Sequence, residues 1–180
     1  MVILSIVHGL ETRQVDYVNA FAQANLNKNV FVELPQGFKH NNDVPCVLWL
    51  KKRLYGLWDT PLMFFELLKS NLQAIGFKQF EHIDPCLFVH SKAICLSYVD
   101  DCLWFGRDGA ALDKLIKRMK EERKMDLKVE SNDVSAFLGI QFTRKGSTIE
   151  LKQLGLIDKI LQDTGMEDCN RQLSLLARHP

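Results

Sequence analysis

Two adjacent carboxylates, Asp100 and Asp101, stand in the middle of ICLSYVDDCLWFG (residues 94–106), an otherwise apolar, strand-like run. No other feature constrains the fold as strongly. Ile94, Leu96, Tyr98 and Val99 precede the pair, and Cys102, Leu103, Trp104 and Phe105 follow it, as in a buried or half-buried strand. Two like charges side by side cost free energy wherever water is scarce, because neither stays ionised easily without a counter-charge. Two arrangements relieve that cost: a hairpin with a solvent-exposed Asp-Asp turn, or a divalent cation. Adjacent strand residues point to opposite faces, so the two acids converge on one site only if Asp101 lies in a tight turn.

Two carboxylates rarely hold two metal ions, so a second acidic strand is expected. The candidate is Asp16 in RQVDYVNAF, a lone acid between Val15 and Tyr17 at a strand end. Taken alone, Asp16 reads equally well as a helix N-cap that accepts backbone N–H bonds. Taken with Asp100 and Asp101, it completes an oxygen cage for one or two hard cations that keep positions open for phosphate. Two such ions, roughly 3.5–4 Å apart, clamp the attacking and leaving oxygens of a phosphoryl transfer.

At 180 residues, 47% apolar and 25% charged, the chain has length for its own core, as one domain or one domain with a small appendage. A net charge of +1 argues neither for nor against nucleic acid and leaves room for a local basic face. The five cysteines (46, 86, 95, 102, 169) lack metal-ligand spacing and read as free thiols in a reducing compartment. MVILSIVHGL reads as neither a signal peptide nor a membrane span, but as the stump of a buried helix.

Periodicity predicts a helix over 3–9 and a strand centred on 13–17 followed by a helical turn. Strands are expected over 30–34, ended by Pro35 and Gly37, and over 46–50, with the polar loop HNNDVP (40–45) between them. Thr60-Pro61 opens the clearest helix, apolar at 64, 67, 68, 72 and 75 and stopped by Gly76. Further strands are predicted at 86–90, 93–99 and 102–106. Residues 111–125 form an amphipathic helix with Leu112, Leu115, Ile116 and Met119 inside and Lys114, Lys117, Arg118 and Lys120 outside. A hairpin over 135–144 and 147–153 and a last helix over 154–165 complete the pattern. Helices mixed with hairpins, without βαβ regularity or a Gly-rich phosphate loop, predict an α+β fold with an antiparallel sheet.

VDYVNAF, FVELPQGF, LKKRLYGL followed by TP, DPCLF, SYVDDCLWFG and FLGIQF stand here in that order. In this they resemble the reverse transcriptases of copia-type LTR retrotransposons, from about residue 3 to about residue 170. Tyr-Val-Asp-Asp alone is a weak signal; the ordered set is specific. The resemblance implies a polymerase palm with an antiparallel sheet backed by helices, plus the start of a helical thumb. It places the palm at 1–126, with a strand-loop-strand excursion at 27–53, and a primer-grip hairpin with the beginning of the thumb at 127–180. Asp16 and Asp100 would hold two Mg²⁺ ions, with Asp101 as third acid beside the primer end. Phe21 would be the aromatic plate that excludes a 2′-hydroxyl. Backbone N–H groups of Asn19 and Ala20 would face the triphosphate, and Tyr55 and Gly56 would floor the base. Phe137, Leu138 and Gly139, opening FLGIQF, resemble the primer grip.

The implied partners are an RNA or DNA template with its primer, deoxynucleoside triphosphates and the remaining polyprotein segments (fingers, RNase H, integrase), with no membrane. The implied location is the cytoplasm, in a virus-like particle, without secretion. LPQG at 34–37 lies before the LYGL block and reads as a strand-end turn, outside the site. Two departures stand out. Trp58 and Asp59 replace the family's basic residue and glutamine, which would weaken polyanion binding, and the resemblance implies a basic fingers segment that would lie upstream of residue 1. An alternative is therefore a decayed remnant that binds nucleic acid weakly through Lys51, Lys52, Arg53 and the basic face of 114–124. An unrelated magnesium phosphohydrolase would require an acid-x-acid nucleophile block, which is absent.

Overall fold

The alternation in ETRQVDY becomes a strand in which Arg13, Val15 and Tyr17 are buried while Gln14 and Asp16 stay half-exposed. The structure is a computed structural model that describes residues 2–38, 46–131, 136–145 and 148–168. The first compact unit, Met1–Asp133, contains α1 (Val2–Val7), β1 (Glu11–Tyr17), α2 (Ala20–Gln23), β2 (Phe31–Glu33), β3 (Val47–Trp49) and α3 (Thr60–Ala74). It continues through β4 (Lys78–Gln79), β5 (Leu87–His90), β6 (Ala93–Tyr98), β7 (Asp101–Gly106), α4 (Gly109–Glu121) and β8 (Leu127–Ser131). The second unit, Val134–Pro180, contains β9 (Ala136–Phe137), β10 (Ile140–Lys145), β11 (Thr148–Lys152) and α5 (Leu154–Thr164).

The first unit is built on a six-stranded antiparallel sheet in the order β4-β5-β6-β7-β1-β8. Val15 and Tyr17, Cys95, and Cys102 and Trp104 form one core with Phe64, Leu68 and Leu72 of α3 and Leu112, Leu115, Ile116 and Met119 of α4. The α3 residues recur every four positions, which aligns them along one helix face; each such full burial contributes roughly 1.5–3 kcal/mol. Trp104 meets Phe77 edge-on at 5.2 Å, and Tyr17 meets Phe64 likewise at 5.7 Å. The helix α3 starts with Pro61 in its first turn, as expected, and stops before Gly76. Gly76 adopts φ +105°, a conformation that glycine takes without strain, and a Cβ there would crowd the His90 ring at 3.2 Å.

At α4, Asp108 caps the start by accepting from the Ala110 N–H at 2.9 Å. Arg13 ties β1 to this helix through an ion pair with Asp113 at 2.8 Å. The outer basic face of α4 is partly self-neutralised: Lys117 pairs with Glu121 at 3.7 Å and Arg118 with Glu122 at 3.0 Å. Those cations contribute less to an anion-binding face than their sequence suggests.

The fold is α+β with antiparallel sheets, as the sequence predicts. Two strands, β4 and β8, were not anticipated. The expected hairpin of the second unit is a three-stranded sheet, β11-β10-β9. Among the described cysteines none forms a disulfide; Cys95 and Cys102 are buried and Cys46 and Cys86 half-buried. No helix among the described residues is long and apolar enough to cross a membrane. The predicted loop at 40–45, the turn at 146–147 and Cys169 lie outside the described residues.

Candidate active site

The strands β6 and β7 are joined by two residues, Val99 and Asp100, with Tyr98 opposite Asp101. Val99 has φ +55° while Asp100 stays at negative φ, the pattern of a hairpin turn that bends at its first central residue. A β-branched side chain at positive φ is strained, and such strain persists where surrounding structure over-determines it. Asp100 therefore occupies the turn and Asp101 opens β7, one residue earlier than the sequence predicts for both. The reason is that Val99, and not an aspartate, takes the positive-φ position.

On its other side Asp101 is the direct cross-strand partner of Asp16, at the end of β1. Directly opposed residues on antiparallel strands share a face, with Cβ atoms about 4.5–5.5 Å apart. The turn is also fastened to β1, because the Tyr17 N–H donates to the Asp100 carbonyl at 3.0 Å. The structure thus brings the ends of β1 and the β6–β7 hairpin together, and with them the backbones of all three predicted acids.

A fourth carboxylate joins them. The strand β8 pairs with the outer edge of β1, with Lys128 opposite Asp16, and the register shifts between Gln14 and Val15. Glu130 is the extra residue of that bulge, and the Gln14 side chain donates to its carboxylate at 3.2 Å. Sequence reasoning missed both residues, although LKVES alternates with the period of a strand.

The acids act on one another. Partial burial raises the Asp101 carboxyl above its ordinary value, and the charges of Asp100, Glu130 and Asp16 push it further. Such crowding is relieved by a cation, and the donor set is all oxygen, which suits a hard divalent ion. Among the described residues no three of these side chains stand close enough to close a metal cage as they are. The all-oxygen donor chemistry fits a hard divalent cation such as magnesium, which Asp16, Asp100 and Asp101 would hold.

Because the folded protein binds the Asp101 proton more tightly than the unfolded chain, its charge lowers stability as pH rises through the raised value. Asp101→Asn should therefore raise the melting temperature by a few degrees at pH 7. The difference should vanish as pH falls below the ordinary carboxylate value of 3.8. A thermal melt in chelator at both pH values checks this; an unchanged melt at pH 7 would show that the acids do not interact.

Beyond β1 the chain turns through Asn19, in the left-handed conformation at φ 48° and ψ 45°, into the short α2. The N–H groups of Ala20 and Phe21 open that helix and so have no intrahelical acceptor. Phe21 is nearly buried, with its ring centroid 4.5 Å from Tyr55 and 6.3 Å from Phe64. Tyr55 is exposed and is followed by Gly56 at φ +98°, a turn conformation that glycine adopts without strain. Phe21 and Tyr55, 34 positions apart in sequence, thus form one aromatic wall, with Asn19 and Ala20 just before it.

Trp58 and Asp59 take unexpected roles. The Asp59 carboxylate lies 2.8 Å from Nη1 of Arg53, a charge contact off the line of a hydrogen bond, and 3.1 Å from Nζ of Lys28. Arg53 is not the surface cation that the sequence suggests: it is 3% exposed, and its Nε donates to the Asn25 carbonyl at 2.9 Å. Partial burial opposes ionisation of Asp59, but the hydrogen bond from Lys28 and the charges of the adjacent Arg53 guanidinium and Lys28 ammonium outweigh it and hold the carboxyl below its usual value. Lys28 also stands 5.8 Å from the Trp58 ring, which is largely exposed.

In the second unit Leu138 and Gly139 link β9 to β10 with φ +51° and +76°. Positive φ at both positions is the type I′ hairpin pattern, and Phe137 pairs with Ile140 across it.

A profile of the family described as reverse transcriptase (RNA-dependent DNA polymerase) matches residues 1–176. The chain is 33% identical over 158 residues to the retrovirus-related Pol polyprotein from transposon RE1 of Arabidopsis thaliana, covering 86% of this chain and 10% of that protein. It is 27% identical over 177 residues to the corresponding polyprotein from transposon TNT 1-94 of Nicotiana tabacum, covering 94% of this chain and 13% of that protein. It is also similar, at 27% over 110 residues, to the truncated transposon Ty1-A Gag-Pol polyprotein of Saccharomyces cerevisiae, covering 61% of this chain and 9% of that protein. The chain spans about a tenth of the length of these curated relatives.

Proposed function

Because the chain belongs to the reverse transcriptase (RNA-dependent DNA polymerase) family, we propose that its first unit is a polymerase palm adding deoxynucleotides to a primer 3′ end on a template. One observation carries the reading: the pairing of Asp16 with Asp101 beside the Val99–Asp100 turn, which gathers three acids at one end of the sheet. Asp16 and Asp100 would hold two magnesium ions, with Asp101 beside the primer end. Bound there, the ions would stabilise the charge that develops on attacking and leaving oxygens.

The chain's own residues do the positioning. Backbone N–H groups at Asn19 and Ala20 orient the triphosphate. Phe21, braced by Tyr55, blocks the space a 2′-hydroxyl needs, while Tyr55 and Gly56 support the base. The Phe137–Gly139 turn holds the primer, and α5 begins the thumb. Template, primer and the other polyprotein segments are the partners, and the cytoplasm is the proposed location.

The test is extension of a DNA primer on an RNA template with magnesium. Addition of the template-complementary nucleotide at low salt is expected; loss of binding with rising salt follows from the counterions released at each phosphate contact. A second reading, a non-catalytic nucleic-acid binder, is favoured by the engagement of Lys28 and Arg53 with Asp59, which removes cations from the pocket block. Duplex bound to saturation without any addition would select it.

Phe21→Val should relax discrimination against ribonucleotides by roughly 10- to 200-fold, the range for a pocket altered by small apolar groups. The ratio of ribo- to deoxynucleotide incorporation reads this independently of any loss of stability from opening the core. An unchanged ratio would make Phe21 a packing residue alone.

A further inference from the structure

The ribbon formed by β2 and β3 carries an exposed face of rings and cations. Phe31 and Trp49 are direct cross-strand partners, so their rings share one face, and they are 57% and 52% exposed. Lys51, two residues beyond Trp49, places its ammonium over the indole ring. Beside Trp49 lies a groove of about 570 Å³ whose lining includes Asn27, Lys28, Asn29 and Lys51.

A two-stranded ribbon is marginal by itself, yet this one is fastened at its base. The Leu50 N–H donates to the Val30 carbonyl at 2.9 Å, Asn25 and Lys52 form a bridge, and Arg53 anchors Asn25 from the buried side. The exposed face is therefore presented on a held support. Contiguous exposed apolar surface of this kind marks a binding surface.

We propose that this face binds unpaired nucleotides of a nucleic-acid strand, with bases stacking on Trp49 and Phe31 and phosphates meeting Lys51 and Lys52. The identity of the ligand rests on the polymerase reading above, but the face uses none of the catalytic acids. Charge complementarity decides the occupant. Among described residues 25–38 and 46–53, Glu33 is the single carboxylate, against the exposed Lys51 and Lys52; Lys28 and the buried Arg53 are already paired with Asp59 and are not counted. Glu33 lies opposite Val47, at the end of the ribbon away from Lys51. Rings interleaved with cations, beside the amides of Asn27 and Asn29, match alternating bases and phosphates, the pattern by which single strands are held. A base replaces the ammonium on the indole face as that ammonium moves to the adjoining phosphate.

The test uses the whole chain and a labelled homopolymeric single-stranded RNA, in chelator and without nucleotides, read by fluorescence anisotropy. Trp49→Ala should weaken binding by roughly 5- to 150-fold, the loss of one base–aromatic stack. Phe31→Ala should act in the same direction, and Lys51→Ala should lower the salt slope by about one. A blunt duplex, which offers no unstacked bases, should be bound equally by wild type and Trp49→Ala. Equal single-strand affinity of wild type, Trp49→Ala and Phe31→Ala overturns the proposal. A concentration-dependent dimer dissolved by Trp49→Ala also overturns it, because the face would then join copies of the chain. Without metal or nucleotide, the assay is indifferent to whether the acids catalyse. A chain that extends primers but shows no effect of Trp49 refutes the ribbon alone.

Discussion

Asp100→Asn is expected to lower nucleotide addition by about a thousandfold or more, because metal-borne charge stabilisation is worth several kcal/mol. The fold should survive. Asp100 lies in a two-residue turn, and the contact that fastens this turn to β1 uses its backbone carbonyl, which asparagine retains. The same substitution at Asp16 should be equally severe, since Asp16 faces Asp101 across the β1–β7 pair. Primer extension beside a thermal melt separates the two effects. Activity within about tenfold of wild type, with an unchanged melt, would remove the carboxylate row from the chemistry. Loss of activity together with loss of the melting transition would make these acids structural.

The acids were legible because they contradict their surroundings. A charged pair inside ICLSYVDDCLWFG reads either as an exposed hairpin turn or as a cation site, and the structure does place a hairpin turn there, at Val99–Asp100. The helices α3 and α4 were legible because their apolar residues recur at helical spacing and pack as that spacing requires. The position of the turn slipped by one residue, since valine disfavours positive φ and an Asp-Asp turn is the natural reading. The strand β8 was missed because its identity is tertiary: LKVES is short and half polar, and it becomes a strand by pairing with β1. With it went Lys128, which lies opposite Asp16, and Glu130, which adds a carboxylate to the row. The pairing of Asp59 with Lys28 and Arg53 was also hidden. Lys28 lies 31 positions away, and nothing in KKRLYGLWDT marks the arginine as the buried member of its basic run.

The pairing of Asp59 with Lys28 and Arg53 decides what restoring the family's residues at 58 and 59 would do. Set against the family pattern, Trp58→Lys with Asp59→Gln restores a cation and a neutral partner to the pocket block. The structure supports only the first half. Trp58 is 85% exposed, so Trp58→Lys adds a solvated cation and should steepen the salt dependence of duplex binding by about one unit of slope. Asp59→Gln instead strips the carboxylate from a buried arginine and leaves its charge uncompensated, which is strongly destabilising. The expected result is a melting temperature lower by several degrees and weaker, not stronger, template binding, because Arg53 and Asn25 also hold the base of the β2–β3 ribbon. The pH dependence identifies the cause. A carboxyl held below its ordinary value contributes stability that is present above 3.8 and lost as pH falls through the lowered value. The gap between wild type and Asp59→Gln should therefore be full at pH 7 and close in strong acid. Replacing both partners, Arg53→Met with Asp59→Leu, should recover most of the lost stability, since apolar side chains of similar volume substitute for a buried pair. An Asp59→Gln variant that melts like wild type and extends primers better would show instead that the arginine needs no counter-charge and that Asp59 only repels the template.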